Sequence, residues 1–392
     1  MPPLPAPSLV GMPYESVDKL QKLLTQTVFA YAKAPKKAAG RALGTLVEII
    51  TFYLLKTWGL SASVAIERGL DEYKNPDITH NVEYSLHPVK FVEQLRLTTP
   101  KLPITPAKIF KTFAKHLDYL QAFERKKHQL LSSSGILRNA CVLGEGGDLI
   151  LVGLVSLLRG QELELDLVGQ FRSPYAMFEC KRVGIEEGNK KGPQTIEKAK
   201  QGAYVARTVS SLQKIRAHSG EMHGVIARKD GKLYSKPYVQ LLDEVINSTD
   251  PELLRHFILT VGVVSNHGNW FTSDNPNKEL RVLAQSYDWL LFLTDDGLAQ
   301  FIADIIQSDS PEVAPAKKAF LASYTGSKTK TRFTKVQMAL DADKVLQDYF
   351  AKNIGRIEEW FNVISPPRGS ISALKSQIDV LSKKDWSNIL NP

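Results

Sequence analysis

Along the first third of the chain, apolar positions recur with helical spacing. Leu46, Ile49, Ile50, Tyr53 and Leu54 form one stripe, and Ile109, Phe113, Leu117 and Leu120 another, so Tyr14 to about Leu131 is expected to be mainly helical. Thr45 to Ala65 is the most apolar early stretch. Glu48 and Lys56 interrupt it, which predicts a buried helix and not a membrane span. Pro76 to Pro88 reads as a connector.

The texture changes from Ser132–Ser134 onward. After the Gly-rich turn Gly144–Asp148, Asp148 is expected to cap a helix starting near Leu149. A period of two follows: Leu163, Leu165 and Leu167 alternate with Glu162, Glu164 and Asp166, the pattern of a half-buried strand whose acidic face points away from the core. Beyond Ser173-Pro174, Tyr175 to Lys181 reads as a second strand, with Glu179 and Lys181 on one face and Phe178 and Cys180 on the other. Phe257 to Ser265 and Tyr287 to Thr294 have the composition of strands buried on both faces, and Asp295 and Asp296 suit the start of a helix. From Ser308 the pattern returns to helices and loops. The expected fold is therefore α/β, a mixed central sheet flanked by helices. It spans 132–307 between a helical amino-terminal region, 1–131, and a helical carboxy-terminal region, 308–392.

Charge adds a partner. The chain of 392 residues carries 50 Lys and Arg against 41 Asp and Glu, a net charge of +9, which favours polyanions and makes nucleic acid the first to consider. Cys141 and Cys180 are the only cysteines, too few for a disulfide framework or a cysteine zinc site, which fits a reducing cytoplasm. MPPLPAPSLVGMP has neither a charged n-region nor a continuous apolar h-region and reads as a proline-rich arm. The eight histidines form no HExxH, and no GxxxxGK[ST] loop occurs, so no nucleotide cofactor is expected.

The two acidic strands carry the candidate chemistry. If Phe171–Pro174 is the loop of a hairpin, Asp166 pairs with Glu179 and Glu164 with Lys181, and directly opposed residues share a face. Two carboxylates with Cβ atoms roughly 4.5–5.5 Å apart would reach one hard cation and would repel without it. Such a cation polarises a scissile phosphate and activates water, and the Lys181 ammonium would help stabilise developing charge. The plainer reading is a surface hairpin with a Glu164–Lys181 ion pair.

This arrangement resembles the PD-(D/E)XK nuclease superfamily. Asp166 and Glu179-Cys180-Lys181, preceded by Ala176, Met177 and Phe178, match its signature, although Asp166 follows Leu165 and not proline. The resemblance implies Mg²⁺ held by Asp166 and Glu179, with Lys181 as the catalytic lysine. It also implies a further acid upstream, for which Glu145 ranks ahead of Asp148 and Glu124, and a helix downstream. The stripe Ile196, Ala199, Ala203, Ala206, Val209 and Leu212 supplies that helix, to about Arg216, with Gln201 as a secondary site. Lys190 and Lys191, and Lys328, Lys330 and Arg332 in the basic run Gly326–Lys335, are candidates for phosphate contacts, with Phe333 in that run for groove entry. Size and unassigned flanks that would clamp and read double-stranded DNA point to a type II restriction endonuclease acting as a homodimer and leaving 5′-phosphates. A structure-specific repair or recombination nuclease and a non-catalytic DNA-binding protein are the rival expectations.

Overall fold

A computed structural model describes residues 17–26, 28–30, 35–70, 81–98, 101–159, 162–184, 202–228, 230–267, 278–324 and 331–391. The chain is mixed α/β with several sheets. It divides into two compact units, neither of them a contiguous span. The first is Met1–Ile66, Val89–Arg172 and Asp295–Trp360; the second is Glu67–Pro88, Ser173–Thr294 and Phe361–Pro392. The successive regions 1–131, 132–307 and 308–392 do not follow these cuts, because strands distant in sequence pair with one another.

In the first unit, helix Pro35–Leu55 begins ten residues before the expected Thr45 to Ala65, which ends instead in the strand Val64–Ile66, but the expected stripe Leu46, Ile49, Ile50, Tyr53 and Leu54 is no more than 2% exposed. Ala38–Leu60 is long and apolar enough to cross a membrane by length and composition, but 72% of an 18-residue apolar window within it is buried inside the protein, as in a core helix. Asp343 on helix Leu340–Glu358 accepts from the Tyr53 hydroxyl at 2.6 Å and from Lys56 at 3.2 Å, so this buried carboxylate is compensated. Five antiparallel strands form a sheet in the order Val89–Thr98, Glu162–Phe171, Leu149–Arg159, Cys141–Gly146, Glu124–Arg125. The alternation in Glu162–Phe171 holds, with Leu163, Leu165 and Leu167 all 0% exposed. Expectations fail in this sheet. Val89–Thr98, in the region read as helical, is a strand whose Phe91, Leu95 and Leu97 pack on the core at period two. Leu149 opens a strand and not a helix: Gly147, at φ +55, forms a two-residue turn with Asp148, so Asp148 caps no helix.

In the second unit, five strands lie in the order Tyr84–Leu86, Ala176–Gly184, Leu259–His267, Trp289–Leu293, Phe361–Ser365. The inner pairings are parallel and the outer two antiparallel, which makes the sheet mixed. The two apolar segments expected to be buried on both faces are its third and fourth strands. Ala176–Gly184 is flanked on both sides, so Tyr175 through Cys180 are no more than 5% exposed. Tyr84–Leu86 falls within the span read as a connector. The helix downstream of Lys181 is described over residues 202–208 and ends before Arg216, because Gln213–Arg216 joins Met222–Ala227 and Leu233–Pro237 in a three-stranded antiparallel sheet. Ala203, Ala206 and Val209 nevertheless pack against Met177, Val264 and Leu290, covering one face of the mixed sheet.

Candidate active site

The strand Ala176–Gly184 sets Glu179 and Lys181 on the face that carries Met177. Glu179 is 1% exposed, and its Oε1 lies 2.5 Å from the ammonium of Lys181, whose side chain keeps 25% exposure. Its Oε2 accepts the backbone N–H of Glu83 at 3.1 Å. Both oxygens of a buried carboxylate are thus met by donors, the condition under which burial is tolerated.

Asp166 is not the partner of Glu179. Gln94 stands opposite Asp166 on one side and Leu154 on the other, so both edges of its strand are filled. Both edges of Ala176–Gly184 are filled as well, by Tyr84–Leu86 and Leu259–His267. A strand flanked on both sides has no edge for a third, so Phe171–Pro174 is not a hairpin loop and the two strands belong to different sheets. Asp166 instead sits half-buried, its carboxyl held above the usual range by burial and then by Glu164. Glu164 pairs with Arg96 at 2.6 Å and not with Lys181.

The residue that faces Glu179 is Glu83. Tyr84 pairs with Phe178 in antiparallel register, and Glu83, the residue before this strand, meets Glu179 through its backbone N–H. Glu83 is 8% exposed. The N–H of Glu67, a non-glycine residue at φ +49, donates to the carbonyl of Glu83 at 3.2 Å and ties down this short strand. The signal was present in the chain: Val82-Glu83-Tyr84-Ser85-Leu86 alternates apolar and polar residues, but it is short and lies next to Pro76 and Pro88.

Tyr287 completes the surroundings. It is 2% exposed, and burial, then the negative charge of Glu179, hold its phenol well above the ordinary range. One residue on, Asp288 accepts from the N–H of Thr260 at 2.7 Å and from the hydroxyl of Tyr238, while the Lys214 ammonium donates to the carbonyl of Tyr287 and lies 4.3 Å from the Tyr238 ring.

Comparison with protein-family models, with curated proteins and with solved structures finds no match. The chemistry of the site therefore stands on its own geometry.

The other expected residues fall elsewhere. Glu145, on strand Cys141–Gly146 of the first unit, forms ion pairs with Lys126 at 3.2 Å and Arg172 at 3.5 Å. Glu124 stands opposite it in the sheet. Lys190, Lys191, Gln201, Lys328 and Lys330 lie outside the described residues. Arg332 is half-buried, its N–H donating to Ser323 at 3.0 Å. Phe333 is 0% exposed with its ring 5.5 Å from that of Phe320, and Lys335 is buried 3.5 Å from Glu48. The end of that basic run thus contributes to a core, because Phe333 is worth more buried than offered to a groove.

Glu83 and Glu179 present hard oxygen donors, and Lys181 supplies a cation beside them, a set suited to Mg²⁺. Among the described residues no group of three or more His, Cys, Asp or Glu surrounds a common point. A cation on the two glutamates would take its remaining ligands from water and phosphate, as Mg²⁺ commonly does.

Proposed function

We propose that this chain is a Mg²⁺-dependent endonuclease acting on double-stranded DNA, of the PD-(D/E)XK kind, with type II restriction cleavage as the expected mode. The observation that carries the reading is the Glu179–Lys181 pair on one sheet face, two residues apart, with Glu83 joined to Glu179 through its backbone N–H at the end of the neighbouring strand. The acid that the sequence assigned to Asp166 passes to Glu83.

Glu83 and Glu179 would hold the metal ion, which when bound polarises the scissile phosphate, activates water and stabilises the departing oxyanion. Lys181, paired with Glu179 and partly exposed, would orient the attacking water and meet charge developing on the phosphoryl group. Burial of Glu179 removes competing solvent, so each charge in the site acts more strongly than it would in water. The net charge of +9 favours the approach of a polyanion. Products with 5′-phosphate ends and a symmetric pair of active sites on a homodimer follow from the same reading.

One observation favours a rival, a DNA-binding protein without catalysis: the charge of Glu179 is already met by Lys181. Plasmid DNA incubated with Mg²⁺ or with EDTA separates the two. The nuclease reading expects metal-dependent cleavage that Glu179→Ala and Lys181→Ala each abolish. Cleavage that persists in both variants excludes this site. Discrete fragments mark restriction, and structure-dependent nicking marks a repair enzyme.

A further inference from the structure

The carboxylate of Glu179 lies in a space shaped by two glycines. Gly262 stands opposite Glu179 on the neighbouring strand, and a Cβ there would meet Cδ2 of Tyr287 at 2.8 Å and Cε2 at 3.0 Å. The Tyr287 ring therefore occupies the place that a side chain at 262 would fill. Gly202, in the helix over residues 202–208, faces the same point: a Cβ on it would meet Cγ of Glu179 at 2.8 Å, Oε1 of Glu179 at 3.0 Å and the hydroxyl oxygen of Tyr287 at 3.1 Å. Carboxylate oxygen and phenol oxygen thus lie against one point, the place that a Cβ on Gly202 would take, while the absent Cβ of Gly262 makes room for the Tyr287 ring.

The main chain of Tyr287 is held as firmly as its ring. Lys214 donates to its carbonyl, and to that of Ala284 at 3.5 Å. The following residue is locked to Thr260 in both directions, its N–H donating to the Thr260 hydroxyl at 3.0 Å and its carboxylate accepting the Thr260 N–H at 2.7 Å. Buried polar clusters of this density fix one arrangement, because any other leaves charged or polar groups unpaired. A phenol so constrained beside a carboxylate restricts the orientations that carboxylate can take.

From this geometry we infer that Tyr287 is a positioning residue for Glu179, its hydroxyl fixing the orientation in which the carboxylate meets a cation. The inference rests on the nuclease reading of the site. It assigns to Tyr287 no contact with substrate and no proton transfer.

Four forms of the full chain test it: wild type, Tyr287→Phe, Glu179→Gln and the double variant. Tyr287→Phe keeps the ring on Gly262 and removes only the hydroxyl. Two quantities are measured without DNA: affinity for Mn²⁺ by calorimetric titration, and resistance to urea. The inference expects Mn²⁺ affinity to fall at least fivefold in Tyr287→Phe and to vanish in Glu179→Gln. It also expects non-additive stabilities, since the hydroxyl acts on a carboxylate that Glu179→Gln has removed. Wild-type affinity in Tyr287→Phe together with additive stabilities overturns the role of Tyr287 while leaving the metal site intact. Unchanged Mn²⁺ affinity in Glu179→Gln overturns the metal reading, and the inference with it.

Discussion

The backbone N–H of Glu83 donates to Oε2 of Glu179 at 3.1 Å, joining two residues that lie 96 positions apart in the chain. Through this bond the residue that precedes the three-residue strand Tyr84–Leu86 reaches the Glu-Cys-Lys motif. The first unit's segment Val89–Arg172 intervenes between the two strands. The partner of Glu179 is therefore far from it in sequence, and no local hairpin reveals it.

Phe333 distinguishes the two views of the basic run 326–335. As a core residue in contact with Phe320, its change to alanine should lower stability by about 3–5 kcal/mol and leave DNA affinity unchanged in the folded protein. Urea unfolding and a binding titration of the same sample check this. Loss of affinity at full stability would restore it to the DNA surface.

How far the fold was legible follows from the same residues. The helix Pro35–Leu55 and the strands Leu259–His267 and Trp289–Leu293 were readable because long apolar periodicity and dense apolar runs are local signals. Alternation in Glu162–Phe171 was equally plain, but it fixes only which face is buried. Register and partner depend on which other strand arrives. The four residues Phe171–Pro174 looked like a hairpin loop, yet they lead from one sheet to another. Glu179 and Lys181 were found by spacing; Glu83 was missed because the strand it precedes is only three residues long and ends two residues before Pro88, and Tyr287 because a tyrosine opening an apolar run looks like core.

Lys214 should matter more to stability than a surface lysine. Lys214→Met leaves the carbonyls of Tyr287 and Ala284 without their donor and the buried Asp288 without its nearby positive charge, so a loss of about 3 kcal/mol is expected near neutral pH. Burial holds the Asp288 carboxyl above its ordinary value of 3.8. A group raised in the folded state contributes stability below its unfolded value and loses it as pH rises. Without Lys214 that rise is larger, so the penalty should be smaller near pH 4, where only the lost carbonyl contacts remain, and grow toward neutrality. Urea titrations of both proteins across that range test the sign; a penalty independent of pH would contradict it.

Both cysteines should be inert in the native protein. Cys141 is 0% exposed, its thiol pushed up to about 12 by burial against the opposing pull of Arg138, and Cys180 is 5% exposed. Thiolate is the reactive form, so a colorimetric thiol reagent at pH 8 should label neither residue until denaturant is added, and then both. Rapid labelling of native protein would show that one of these strands is open to solvent.

Which acid accompanies Glu179 is decided by a single comparison. The rate of Mg²⁺-dependent DNA cleavage is measured for wild type, Glu83→Gln and Asp166→Asn at matched folded concentration. With Glu83 as the second carboxylate, Glu83→Gln loses at least about a hundredfold in rate, on the scale of removing one preorganised charge contact, while Asp166→Asn cleaves like wild type. Full activity in Glu83→Gln, with loss in Asp166→Asn, would contradict it.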